Sequence, residues 1–235
     1  TVSENRRDLI NKSIEYGYSK IIFSDCDDEL SFNRVDTLNS LLDSHAVVVN
    51  DLDIIDSSNQ SIEKKYFSNR FRDGESINVS RLMFGNMMGL TNTAATASAF
   101  NGCIALQRGE ALAFDWYLWS TVLMNIKDVI FTNKTTTKYR TYSNNVAGFP
   151  QAINKINVCN GLKVKHDYYK LMSEIKDSYS DIKDSYNDQV NELQCDRNKL
   201  SDENIAKYIS ALQKKKTNHP IWWEQIKLLS EVTTL

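Results

Sequence analysis

"IIFSDCDDELSF", residues 21–32, is the stretch on which the fold turns. An apolar segment that suits a short buried strand, "KIIFS" at 20–24, runs directly into Asp25, Asp27 and Asp28. A single aspartate in such a place caps a helix. Three carboxylates so close together repel one another, and something positive must offset that repulsion.

The flanking segments supply the frame. Upstream, residues 3–17 have a helical pattern, with Leu9, Ile10 and Ile14 on one face. Ser3 and Glu4 suit its start and Gly17 its end. Downstream, Val35, Leu38, Leu41 and Leu42 predict a helix, and "AVVVNDLDII" predicts a strand. This alternation predicts an α/β fold, a Rossmann-like and mostly parallel sheet flanked by helices. In such sheets ligands lie beyond the carboxyl ends of the strands, which is where the aspartates stand.

Further along, residues 57–101 read as polar and irregular, and their small-residue end "NMMGLTNTAATASAF" suits a substrate-facing loop. "NGCIALQRG" reads as a strand and turn, and residues 115–126 as a helix with Trp116, Trp119, Leu123 and Ile126. "DVIFTN" and "TTTKYRTY" read as two strands. From about 165 the pattern is helical and charged. Leu171, Ile175, Tyr179, Ile182, Tyr186, Val190 and Leu193 form a narrow stripe at near-heptad spacing. The expected organisation is an α/β domain over 1–160 and a helical extension over 161–235. The extension suits packing on the domain, a partner or a second copy through residues 165–235, and "HPIWWEQIKLL" predicts a last helix anchored by Trp222 and Trp223.

Bulk properties narrow the function classes. The formal net charge of −2 over 235 residues provides no global field for nucleic acid. Cys26, Cys103, Cys159 and Cys195 form no C-x-x-C pair, which fits reduced thiols in a cytoplasmic setting. No apolar run reaches the ~20 residues of a spanning helix. "QKKKTNH" at 213–219 is a basic run suited to a solvated face or a peripheral contact with anionic lipid. The chain opens on a helix pattern without an initiator methionine, so we expect sequence upstream of residue 1.

Three chemistries compete for the aspartates. A calcium loop is excluded, because Leu30 stands where an EF-hand needs glycine and Asp36 where it needs glutamate. "DCDDEL" resembles the D-x-D-x-T-L of haloacid-dehalogenase-type phosphatases, but Glu29 replaces the threonine. The third is a sugar-nucleotide site, where carboxylates and Mg²⁺ or Mn²⁺ neutralise a diphosphate leaving group. A non-catalytic interaction protein acting through the helical extension is the remaining alternative.

"NRRDLINKSIEYGYSKIIFSDCDDELSFNRV" resembles the family 2 glycosyltransferases of GT-A fold, in which a helix carrying an arginine leads into a strand and D-x-D-D. "FDWYLW" resembles that family's later acidic motif, and "KYRTYSNNVAG" a still later Y-R-x-H-x-x-N-x-x-G segment, with Tyr142 in place of histidine. The resemblance covers roughly 1–150 and implies that the family's first strands precede residue 1. It implies a metal-dependent inverting transfer from a nucleotide-diphosphate sugar to a glycan or lipid-linked acceptor, in surface polysaccharide synthesis. In that reading Asp25 contacts the nucleotide, Asp27 ligates Mn²⁺ or Mg²⁺ with Asp25 beside it, and Asp28 assists. Arg7 approaches the diphosphate, while Arg140 and Asn145 match the last segment. Asp115 is the base that takes the proton of the acceptor hydroxyl. Asn86 and Trp116 fall on the acceptor side.

Overall fold

The computed structural model describes residues 1–107, 110–142 and 155–175, and the isolated helical positions 184, 203, 206, 207, 209 and 210. The expected stripe beyond Ile175, the "QKKKTNH" run, the Trp222–Trp223 helix and Asn145 lie outside the described residues.

Local sequence sets the first element at both ends. α1, Val2–Glu15, is capped by Thr1 rather than Ser3: the Thr1 side chain accepts the Glu4 N–H, and the Glu4 side chain answers the Thr1 backbone. This is a capping box. At the other end Gly17 takes φ +79°. Its N–H reaches the Ile14 carbonyl and the Tyr18 N–H reaches that of Ser13. These two bonds close a Schellman motif, and the left-handed position between them favours glycine.

The remaining elements are β1 Lys20–Ile22, β2 Glu29–Leu30, α2 Arg34–Leu41, β3 Val47–Ile55, β4 Ser61–Glu63, α3 Val79–Leu82, β5 Thr93–Thr96, α4 Ile104–Gln107, α5 Phe114–Asn125, β6 Val129–Arg140 and α6 Lys155–Ser173. The sheet order is β1-β5-β3-β6-β2, with β4 paired to the far end of β3. The α/β class is as expected, but the sheet is mixed rather than mostly parallel. Among the described strands only β3 and β6 pair in parallel, while β1–β5, β3–β5, β3–β4 and β2–β6 are antiparallel. The helix–strand alternation does predict direction: β1 and β3 run the same way, joined through α2. What it misses is β5, inserted antiparallel between them.

β5 comes from the "TAAT" that the sequence presents as a loop. Ala94 and Ala95 are fully buried at the sheet centre, where a small side chain lets α2 approach. Such a strand lacks the β-branched and aromatic residues that mark strands in sequence. The two strands expected over "DVIFTN" and "TTTKYRTY" are one, β6, and its register against β3 jumps from Asn50↔Thr132 to Asp51↔Thr136. Residues 133–135 are the bulge. Asp73 holds it through Thr132 and the Asn133 N–H, and Asn33 holds it through Thr135 and the Lys134 carbonyl. Within "NGCIALQRG", Ile104–Gln107 form α4 instead of a strand.

The core on the α2 side joins Leu38 and Leu42 to Val48, Ala94 and Ile130, with Ile22 and Leu41 packed against them. Val35, expected on that face, is exposed instead. A separate aromatic cluster has Phe23 edge-on to Trp119 at 5.8 Å and to Phe100 at 6.2 Å.

The chain divides into two compact units: Thr1–Leu82, Asn86–Glu110 and Phe114–Tyr142 in one, and Met83–Gly85, Ala111–Ala113 and Ser143–Leu235 in the other. The sheet lies in the first. In the second, α6 begins ahead of the position near 165 expected from the pattern, buries Val164, Tyr168, Tyr169 and Met172, and accepts the Leu112 N–H on Asp167 at 2.8 Å. No helix among the described residues is long and apolar enough to cross a membrane.

Candidate functional site

β1, β3 and β6 end on one edge of the sheet, and the aspartate loop leaves β1 there. Phe23 still bonds the sheet through its N–H to the Thr93 carbonyl at 3.3 Å, and a turn then brings the Asp28 N–H within 3.4 Å of the Asp25 carbonyl. The positive partners that the sequence demands are three arginines. Arg6 of α1 pairs with the Asp25 carboxylate at 3.0 Å, both side chains being part-exposed. Arg140, at the end of β6, donates its backbone N–H to Asp28 Oδ1 at 2.8 Å and its Nε–H to the Asp27 carbonyl at 2.9 Å.

Arg34 is the third. It is fully buried, donating from Nε to Asn50 Oδ1 at 2.9 Å and from Nη2 to the Thr91 carbonyl at 2.7 Å. Burial pushes its pKa down to about 10, and the nearby Asp28 acts against that. A charged group held this deep needs such partners to offset its desolvation.

The three aspartates therefore differ. Asp27 is exposed, with its carboxylate facing solvent. Asp25 is engaged by Arg6. Asp28 is half-buried, and its Oδ2 has no hydrogen-bond partner. Burial raises its pKa to about 6; the Thr91 hydroxyl and the Arg140 N–H pull the other way, and Asp27 and Asp25 add to the rise.

Asp115 opens α5. Its Oδ1 accepts the Trp116 N–H at 2.9 Å, which satisfies one donor of the helix end. The residue is half-buried. Burial raises its pKa, Arg6 and the Trp116 N–H oppose the rise, and Asp25 adds to it. A Cβ on Gly89 would lie 3.7 Å from Asp115 Oδ2 and 3.3 Å from Asn92 Oδ1, so the bare glycine keeps this corner open. Tyr139 of β6 is the point on which the acids converge. Its phenol is pushed well above the ordinary tyrosine range, by burial first and then by Asp28, Asp115, Asp25 and Asp27 in turn.

The structure thus brings Asp25, Asp27, Asp28 and Asp115 together, though Asp115 lies 87 positions beyond Asp28 in sequence. It sends other expected residues elsewhere. Arg7 donates to the Ala105 carbonyl at 3.2 Å and lies over the Phe114 ring, so Arg6 is the arginine that reaches the loop. Trp116 is 1% exposed and its ring N–H goes to the Leu82 carbonyl at 2.7 Å. That corrects its expected place among acceptor contacts: α5 turns the ring into the core to bury its large apolar surface. Asn86 is part-exposed and accepts the Met88 N–H at 3.0 Å.

Arg6, Arg34 and Tyr139 were not singled out by the sequence. Arg6 had a signal, the "RR" doublet in front of a D-x-D. Arg34 had none, since an arginine in a short helix is ordinarily solvated. Among the described residues no three His, Cys, Asp or Glu side chains form a ready-made metal group.

No protein-family model and no curated protein matches the chain. Among solved structures it is similar to S. aureus TarS 1–349, at 11% identity and TM-score 0.43, over 83% of this chain and 54% of that one. The same protein in complex with UDP-GlcNAc is similar at 10% identity and TM-score 0.47, over 87% and 59%. The chain thus spans little more than half the length of those structures.

Proposed function

We propose that the chain is the GT-A-like part of a family 2 glycosyltransferase that moves a sugar, with inversion, from a nucleotide-diphosphate donor to a hydroxyl of a glycan or lipid-linked acceptor. What supports this reading is that Arg6 and Arg140 hold the D-x-D-D loop at the strand-end edge of the sheet, with Asp115 near enough to Arg6 and Asp25 to feel their charges. Arg140, in the described part of the third motif, bonds to the loop of the first, which supports the reading.

In this reaction the acceptor oxygen bonds to the anomeric carbon as the bond from that carbon to the diphosphate breaks. The electron pair leaves with the nucleoside diphosphate, and the acceptor proton goes to the Asp115 carboxylate. Such a displacement needs one base and no enzyme nucleophile. A carboxylate whose pKa is raised by burial is the stronger base for that proton. Asp25, oriented by Arg6, lies on the nucleotide side.

The donor set fits a divalent cation. Asp27 offers exposed hard oxygens with Asp25 beside it, and Mg²⁺ or Mn²⁺ is ordinarily held by one or two carboxylates plus substrate phosphates rather than by an all-protein cage. When bound there, the cation offsets the charge that builds on the leaving diphosphate. The working place of such an enzyme is the cytoplasmic side of a membrane where surface polysaccharide is built.

Calorimetry with UDP, GDP and CDP, with and without Mn²⁺, tests the reading on the full native chain. Metal-dependent binding of one nucleotide, lost in Asp27→Ala, is expected. Absence of binding by the folded protein overturns the assignment, and phosphate release from an aryl phosphate would replace it with the phosphatase.

A further inference from the structure

We propose that Arg140 is a positioning residue that pins the aspartate loop to the turn between β3 and β4, and so sets where the Asp27 carboxylate is presented. The inference rests on the reading of Asp27 as the donor-facing carboxylate.

Arg140 makes bonds in two directions. Toward the aspartate loop, its Nε–H goes to the Asp27 carbonyl at 2.9 Å and its backbone N–H to Asp28 Oδ1 at 2.8 Å. Toward the β3–β4 turn, Nη1 donates to the Asp56 carbonyl at 3.3 Å and to Asn59 Oδ1. One guanidinium therefore spans two segments that are distant in sequence. Its bond to Asp27 uses the backbone carbonyl and leaves the carboxylate exposed.

The two segments are not equally firm. The turn is braced internally: Asp56 Oδ1 accepts the Ser58 and Gln60 N–H groups at 2.8 and 2.9 Å, and the Asp56 N–H reaches the Gln60 carbonyl at 3.0 Å. Asn59 sits at φ +64°, a left-handed position that asparagine tolerates better than most residues. The aspartate loop has less. Across its turn runs one long bond, 3.4 Å, from the Asp28 N–H to the Asp25 carbonyl. Mutual repulsion among its carboxylates works to open it. Arg140 thus ties a strained loop to a rigid neighbour. The task suits arginine, whose planar fork holds two acceptors in fixed directions, and a lysine ammonium cannot reproduce it.

Amide hydrogen exchange on Arg140→Ala and Arg140→Lys, in the full chain, tests the clamp without any ligand. Exchange in 24–28 is expected to rise by at least about tenfold, the size expected for losing a charged hydrogen bond, while the internally braced 56–60 turn changes much less. Amides of β3 and β5 should keep their rates. No rise in 24–28, or a rise spread equally over β3 and β5, overturns the clamp. Nucleotide titrations on the same variants add the functional half. The clamp predicts a higher Kd when Mn²⁺ is present and little change without it. Equal weakening with and without metal, alongside unchanged exchange, would make Arg140 a direct diphosphate ligand and overturn the inference. If the wild-type chain binds no nucleotide, the donor reading fails, while the exchange result still decides whether the clamp exists.

Discussion

Two D-x-D sequences follow apolar runs in this chain, Asp25–Asp27 and Asp51–Asp53, and the fold treats them in opposite ways. Asp51 is fully buried inside β3, where Oδ1 accepts the N–H groups of Leu52 and Phe67 at 2.9 and 2.7 Å and Oδ2 accepts the Ser68 hydroxyl. Asp53 accepts the Lys65 N–H at 2.8 Å and the Thr136 hydroxyl at 3.4 Å. These carboxylates tie down the chain that follows β4. The Asp25–Asp28 loop lies past the end of β1, with the Asp27 carboxylate exposed and one oxygen of Asp28 unpaired. A carboxylate whose acceptors are all engaged is scaffold, and one with acceptors to spare is available for a ligand. The distinction lies in hydrogen-bond satisfaction and not in residue type.

The sharpest way to break this comparison is Asp115→Asn. The amide keeps the acceptor for the Trp116 N–H and removes the base. Transfer is expected to fall ~10²–10⁴-fold with the thermal melt near wild type. A fall of less than about tenfold in the initial rate would move Asp115 to the scaffold class, since general-base removal costs more than that.

Asp51→Ala tests the other side. It strands buried donors on Leu52, Phe67 and Ser68, each worth ~1–3 kcal/mol when left unsatisfied. Urea denaturation should show a loss of at least ~3 kcal/mol. Asp25→Ala, which removes a part-exposed pair, should cost less than ~1 kcal/mol. Similar losses for the two would erase the contrast.

The smallest effect concerns pH. The folded-state pKa of Asp28, about 6, lies above its ordinary 3.8, so the folded protein holds this proton more tightly than the unfolded chain. Its contribution to stability is therefore present below pH 3.8 and lost as pH rises through about 6. Asp115 acts with the same sign. Thermal melts of wild type and Asp28→Asn across that window should diverge, the variant gaining relative to wild type as pH rises through about 6. An unchanged slope in the variant would mean that Asp28 is better solvated than its unpaired oxygen implies.

Much of this was legible in sequence, for identifiable reasons. The β-branched run "VVV" and the leucines of α2 carry their burial in their chemistry, so β3 and α2 stand out. β5 does not, because its alanines are selected for close packing, a property of their neighbours. β6 reads as two strands because the polar residues 133–135 interrupt a pattern that the backbone carries through as a bulge. At the site, strand-then-carboxylate marked the loop. The arginines were harder. Arg6 and Arg7 are adjacent, and which of them reaches Asp25 depends on how α1 is rotated against the sheet. The burial of Arg34 beneath the loop depends on Asn50 and Thr91, from different strands and turns.

The bulge in β6 bears on how this protein can vary. Residues 129–132 and 136–140 belong to one strand but keep separate registers against β3. The first half is locked into the core through Val129, Ile130 and Phe131, and the second carries Tyr139 and Arg140 to the site. The intervening slack works as a joint. An insertion or deletion that it absorbs leaves both halves in place. One that makes the second half slip by a single residue moves each of its side chains ~3.3 Å and turns it to the opposite face. Changes of length at 133–135 are therefore a route by which the chemistry at the strand end can be remodelled while the interior is inherited intact.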